Sequence, residues 1–411
     1  MIRTRASSLL LLSALPLAGC VGTWQEPPVT AGADARAVAL ALGDPPPRAP
    51  ETAADVPTLD PPHHARPCCA FGMDLHVDFA GLQVPFFEVG NVIDPSDITA
   101  HRYAVLDVMP DDETNGLVYT CRGGWIDTAH VHENADDALF FALSLAPHLR
   151  EGTTVELPGL GGTTTVVVDP IPAELVEREG AITIAGELAA WITWRISVWH
   201  EVATWFGYQS VPGFSEQPSA FSIEDLYSNA LGIHLALALL DVHGYQSRES
   251  YERLEVAYLR AALDRLGVQP REVSRAVMGL LDGRWWDSSR RLPDNHLVTH
   301  RHFPDGEEWV RPWRAEDALA AGETSSLLEG ACGGTSARPL SLVTHLGAQA
   351  PRELVHISWQ PESWAEGHFP FEGETHVVTE SELDELVART RALLEQDLGP
   401  GFDQPGPGRA P

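Results

Sequence analysis

The stretch ITIAGELAAWITWRISVWHEVATWFG, residues 182–207, decides how this chain folds. It is long and largely apolar, and its apolar positions are not confined to one stripe. That pattern predicts a helix buried on most sides rather than one lying on a surface. Gly207 stops it. After a modest connection carrying Pro212, Gly213 and Pro218 comes a second such segment, FSIEDLYSNALGIHLALALLDVHG, residues 221–244. Two long apolar helices joined this way favour an antiparallel pair. SYERLEVAYLRAALDRLG (250–267) and PREVSRAVMGLLDG (270–283) read as two further helices with clear stops.

Strand signals lie before this core. MDLHVDFAGLQVPFFEVGNVI (73–93) alternates and is rich in β-branched and aromatic residues, and GLVYTC (116–121) is another strand candidate. TTVELPGLGGTTTVVVD (153–169) reads as a hairpin around a Gly-rich turn. In RGGWIDTAHVHENADDALFFALSL (122–145), a Gly-Gly loop leads to a helix capped by Asn134 or Asp136. After the core come short strands in SLVTHLG and ELVHISW and a final amphipathic helix, SELDELVARTRALLEQ. The expected fold is α+β: one domain over 67–396, with a helical core at 183–283 built on the antiparallel pair.

The ends read differently. MIRTR is a basic start, ASSLLLLSALPL an apolar run too short to span a bilayer, and LAGC ends in Cys20. Residues 1–19 thus read as a signal peptide. Small residues directly before Cys20 resemble a bacterial lipobox, which implies cleavage there, lipidation of the Cys20 sulfur and a membrane anchor; Val21 in place of Asp implies the outer membrane. Residues 20–66, rich in Pro and Ala, read as a tether in which His63 and His64 are inert. Residues 397–411 read as a disordered tail.

The chain has 411 residues, with 58 acidic against 27 basic side chains and a formal net charge of −31. No Lys occurs, so every basic side chain is Arg. Such a surface repels nucleic acid and anionic lipid, which excludes nucleic acid as a partner. Besides Cys20, the cysteines are Cys68, Cys69, Cys121 and Cys332. Export to an oxidising compartment permits disulfides, and Cys68 or Cys69 can reach Cys121 or Cys332; the sequence leaves the pairing open.

The chemistry gathers where the long helices meet. His200 and Glu201 lie near the end of the first, Glu224 and Asp225 at the start of the second. Antiparallel packing brings both sets to one end, where buried carboxylates and an imidazole are costly unless they pair or bind a cation. The 122–145 segment adds His130, His132 and Asp136. A catalytic zinc site needs three protein ligands and an open position. The nominated ligands are His130, His200 and Glu224, for zinc or another divalent metal. Glu201, next to a ligand as in HExxH helices, is then the base, and His132 steadies developing charge; Thr204 stands where the second His of HExxH would be. Asp225, Asn229 and Asp136 are candidate orienting groups.

Each nomination has a plain structural rival. Ser222 and Asp225 fit a capping box, and His200 fits a core histidine bonded to a carbonyl. His296, His300 and His302 read as a polar surface loop, Trp285 and Trp286 as core. No nucleophile elbow, phosphate-binding loop or dinucleotide fingerprint occurs.

RPCCAFG, NGLVYTCRGGWIDTAHVHENADD, WHEVATWFGY and SAFSIEDLYSNALGIHLA together resemble the bacterial envelope lipoproteins grouped as domain of unknown function 4056, from about Arg66 past Trp286. The resemblance implies that His130, His200, Glu201, Glu224, Asp225 and Asn229 fall in signature blocks of that family. His132 departs from it, standing where the family is expected to carry Arg. The family brings no established reaction. Two functions follow from the residues: a metal-dependent hydrolase tethered to the cell envelope, acting on peptide, peptidoglycan or lipid, or a non-catalytic envelope lipoprotein serving as scaffold or binding module.

Overall fold

The computed structural model describes residues 58–62, 66, 69–79, 82–103, 113–159, 161–209, 215–245, 247–304, 309–341, 351–365, 369–370 and 376–406. The fold is α+β. Its strands are β1 (Leu75–Phe79), β2 (Leu82–Val89), β3 (Leu117–Thr120), β4 (Gly124–Asp127), β5 (Thr153–Gly159), β6 (Gly162–Val168), β7 (Trp309–Val310), β8 (Leu340–Ser341), β9 (Val355–Pro361) and β10 (Val378–Thr379). Its helices are α1 (Thr128–Leu145), α2 (Ala173–Glu179), α3 (Ala181–Trp205), α4 (Asp225–His243), α5 (Arg248–Leu266), α6 (Arg271–Leu280), α7 (Ser326–Cys332), α8 (Pro351–Leu354) and α9 (Glu380–Leu398).

The long pair α3 and α4 forms as expected, but it is not the centre. That place belongs to α1, which packs on both α3 and α4 more extensively than they pack on each other. The sequence reading ran a loop through residues 122–133. Instead Gly123 and Gly124 turn the β3–β4 hairpin, in which Thr120 pairs with Gly124 and Leu117 with Asp127. Gly124 has φ +67°, and a Cβ there would sit 2.1 Å from the Trp313 carbonyl oxygen, so only glycine fits this turn. The helix then begins at once: the Asp127 side chain accepts the Ala129 amide as its cap. Asn134 and Asp136 are therefore interior residues, not caps.

A four-stranded antiparallel sheet, in the order β10-β9-β6-β5, covers one side of this helical core. The β5–β6 hairpin is the one read from the sequence. Against α3 lies α9, tied by Arg195 to Asp384 at 2.7 Å while the guanidinium stacks over Trp191. A second apolar cluster gathers Trp125, Trp285, Trp286 and Trp313, and beside it a disulfide joins Cys121 to Cys332. Neither Cys121 nor Cys332 therefore bonds Cys68 or Cys69, the partners that the sequence offered for them. Cys69 is free, and Cys68 lies outside the described residues.

Both expected boundaries shift. The supposed tail packs as far as residue 406: Phe402 is buried, its carbonyl accepts the Arg301 amide, and Asp403 pairs with Arg391 at 2.6 Å. Burial of an aromatic ring outweighs the chain entropy that a Pro/Gly-rich stretch would otherwise keep. The end of the supposed tether packs as well, with Asp60 accepting the Tyr103 hydroxyl and buried Arg66 meeting Glu113 at 2.6 Å. Residues 1–19, Cys20, His63 and His64 lie outside the described residues. Among the described residues no helix is long and apolar enough to cross a membrane.

Candidate metal centre

Nearly every residue of α1 is buried, including its polar ones. At 3.6 residues per turn, His130, Glu133, Asn134 and Asp137 share one face, while His132 and Asp136 fall on the opposite one. Buried polar groups need partners, so the helix carries two polar clusters back to back.

The first face meets α3 and α4. His130 Nδ1 lies 2.8 Å from Asn229 Oδ1, and Asn134 Nδ2 donates to that same oxygen at 2.8 Å and to the His130 carbonyl at 2.9 Å. A carbonyl oxygen only accepts, so Nδ1 carries the proton and Nε2 is turned to the interior of the site. There it sits 3.8 Å from Asp225 Oδ1. His200 arrives from α3 with its ring edge-on to His130, the centroids 6.0 Å apart. One ligand atom each from His130, His200 and Glu201 lie within 4.8 Å of one another. Ligand atoms around a tetrahedral zinc are ~3.4 Å apart, so a modest contraction would close the group on an ion. These buried His and Glu side chains are able to hold a metal.

The close approach of α1 and α4 has a definite cause. Gly232 faces α1, and a Cβ there would lie 2.2 Å from the Val131 carbonyl oxygen. Its absence lets the backbones touch, and that proximity sets Asn229 against His130.

Electrostatics keep the site under tension. Burial, and then the neighbouring Asp225, push the Glu201 carboxyl well above the usual range. Burial raises Asp225 itself to about 6, although His130 pulls the other way. Burial opposes a charge on His130, but Asp225, Asp127 and Glu201 outweigh it and hold the imidazole up at about 10. Without an ion, protons fill the place of positive charge. Arg301, also buried, spends its hydrogen bonds on the carbonyls of Pro218, Ala220 and Asn295, fixing the loop that leads into α4. His130, His200 and Glu201 line a small pocket together with Glu133, Asp137, Ile196 and Ser197, about 270 Å³ including its open mouth.

Several nominated residues go elsewhere. Glu224 is not with the imidazoles. It precedes the first helical residue of α4, bonds Ser222 Oγ at 2.8 Å, and is raised by burial, then by Asp225 and Asp127. One residue further along, Asp225 lies beside His130 instead, outside the close group of His130, His200 and Glu201. It also accepts the Ser222 amide through Oδ2, but Ser222 Oγ turns to Glu224, so only half of the expected capping box forms. Glu201 joins the ligand group instead of standing back as base, with Oε2 on the Phe221 amide at 2.7 Å. His132 and Asp136 belong to the other face of α1, because two residues along a helix turn a side chain to the far side. His132 pairs with Glu255 at 3.0 Å; Asp136 meets His101 at 2.9 Å. His300 and His302 are buried rather than on a surface loop, and burial pulls His300 down to about 4. Asn134, expected only as a helix cap, joins the site instead, and its spacing of four from His130 on a helix is the signal that places it there. Nothing in the spacing points to His101 or Glu255.

The sequence model of the family described as protein of unknown function DUF4056 matches residues 56–312, well over half of the chain. The chain belongs to that family. No curated protein and no solved structure matches it. The DUF4056 segment contains every residue of both polar clusters, whereas Cys332, β9, β10 and α9 lie beyond it. The part outside the segment still contributes to the same core, through Trp359, Leu383 and Leu386.

Proposed function

We propose that this protein is a metal-dependent hydrolase, with zinc as the ion, held at the bacterial cell envelope by a lipid on Cys20. The observation that carries this reading is the convergence of His130, His200 and Glu201, from two different helices, in the lining of a pocket that opens to solvent. Two imidazoles and a carboxylate suit zinc, and a bound divalent ion would acidify a water and polarise a carbonyl or phosphoryl centre. Asn229 holds the His130 ring with Nε2 inward. Asp225, at about 6 and beside that nitrogen, is the proton acceptor, since a base titrating near the working pH transfers protons best. Envelope peptide, peptidoglycan and lipid are the substrates a tethered enzyme reaches, and the acidic surface excludes nucleic acid.

The test is metal content by mass spectrometry, with zinc titration of the wild type, His130→Ala and His200→Ala. Stoichiometric zinc in the wild type and weakened binding in both variants is the expected result. If the wild type holds no transition metal and His200→Ala binds zinc no worse, the reading fails.

One observation favours a second reading. Asp225 lies 3.8 Å from His130 Nε2, outside the close group of three, and a shift onto a bound ion would make it a fourth ligand; four protein ligands make a closed, structural site. The protein would then be a non-catalytic envelope scaffold or binding module. Asp225→Asn separates the two: a base is dispensable for zinc affinity but not for turnover, whereas a fourth ligand is needed for affinity.

A further inference from the structure

The opposite face of α1 carries a second cluster that the proposed chemistry does not use. His132 Nδ1 lies 3.0 Å from Glu255 Oε1 on α5. The His101 ring stacks on His132 with centroids 4.6 Å apart and planes 15° apart. His101 Nε2 is 2.9 Å from Asp136 Oδ1, and its Nδ1 is 3.3 Å from Glu113 Oε2. Tyr251 donates its hydroxyl to Asp136 at 3.1 Å. Behind these groups, Arg66 binds Glu113 at 2.6 Å and approaches Asp136 at 3.5 Å. One ligand atom each from His101, His132 and Glu255 lie within 4.8 Å of one another.

Among the described residues, Glu113, Asp136 and Glu255 crowd carboxylate oxygens around the two stacked rings, and carboxylate and imidazole together are a donor set that a divalent ion can take. His132 Nε2 and Glu255 Oε2, on fully buried side chains, have no hydrogen-bond partner among the described residues, a costly state that ligation relieves.

We infer that His101, His132 and Glu255, backed by Asp136, form a second divalent-cation site, separate from the His130 centre and suited to zinc or a similar imidazole-binding metal. The inference does not rest on the hydrolase reading. It gives α1 the task of holding two ions, one on each face.

Titrating metal-stripped full-length protein with Zn²⁺ alone, by calorimetry and by equilibrium dialysis with mass spectrometry, tests this. The wild type is expected to take up two equivalents. His132→Gln and the isosteric Glu255→Gln should each take up one and keep the His200-dependent ion; His200→Ala should take up one and keep the other. Melting curves establish which variants fold, and the wild-type stoichiometry needs no variant. If the wild type binds one ion and the Gln variants retain it, or binds none, the second site is overturned. If that single ion is lost in the Gln variants but kept in His200→Ala, this inference stands and the His130 centre fails instead.

Discussion

Replacing Gly232 with Ala sets two effects of opposite sign against each other. Alanine is the better helix former, and on propensity alone it would stabilise the interior of α4 by about 1 kcal/mol. The structure opposes this. The added Cβ would lie 2.2 Å from the Val131 carbonyl oxygen, 3.0 Å from its carbonyl carbon and 3.1 Å from the Ala135 nitrogen. All three are backbone atoms, which cannot swing away as a side chain can. The helices must separate by close to an ångström. Overpacking of this kind costs about 3 kcal/mol, at the upper end of its usual range, so the net change is a loss of about 2 kcal/mol. The same movement stretches the 2.8 Å contact between His130 and Asn229 beyond hydrogen-bonding range. Losing a partner that orients a ligand weakens metal affinity by roughly 10- to 100-fold. Thermal and urea unfolding followed by circular dichroism read the first effect, and zinc competition against a chromophoric chelator reads the second. A Gly232→Ala protein at least as stable as the wild type, with unchanged zinc affinity, would refute the argument that this close approach builds the centre.

Three further outcomes are expected. Asn229→Ala removes the orienting partner without a clash, so it should weaken zinc binding by roughly 10- to 100-fold while the fold melts cooperatively. The pH dependence has a definite sign: Asp225 is raised to about 6 and His130 to about 10, so the stability each adds in the metal-free protein is complete below its unfolded value and lost as pH rises through its folded value. An ion replaces those protons, so zinc should raise the melting temperature more at pH 8 than at pH 5.5, and an equal rise at both would contradict the assignment. Finally, the Cys121–Cys332 bond spans 211 residues of sequence, and its removal by Cys332→Ser should cost about 2–5 kcal/mol; an unchanged denaturation midpoint would show that it contributes nothing.

Much of the architecture is legible because periodicity and stops report local physics. The all-round apolar run of α3 and the β5–β6 hairpin show themselves that way. The start of α1 does not. Read locally, Gly-Gly followed by Asp, His, His and Asn looks like a loop, since these residues favour turns and caps when exposed. Only burial between α3 and α4 makes a helix of them. The same blind spot affects the ends of the domain, where Phe402 and Arg66 find partners far away in sequence.

By itself the sequence determined that His130, His200 and an acidic helix start belong together, because helix ends and a modest connection bring them to one place. Which acids reach the imidazoles was a tertiary decision: Glu201 completes the close group with His130 and His200, while a step of one residue at the start of α4 turns Glu224 toward Ser222 and Asp225 toward His130. So was the division of His130 from His132. Neighbours along the chain face apart on a helix, and only the packing of α3 and α4 on one side of α1, and of α5 on the other, gave each imidazole its own set of carboxylates.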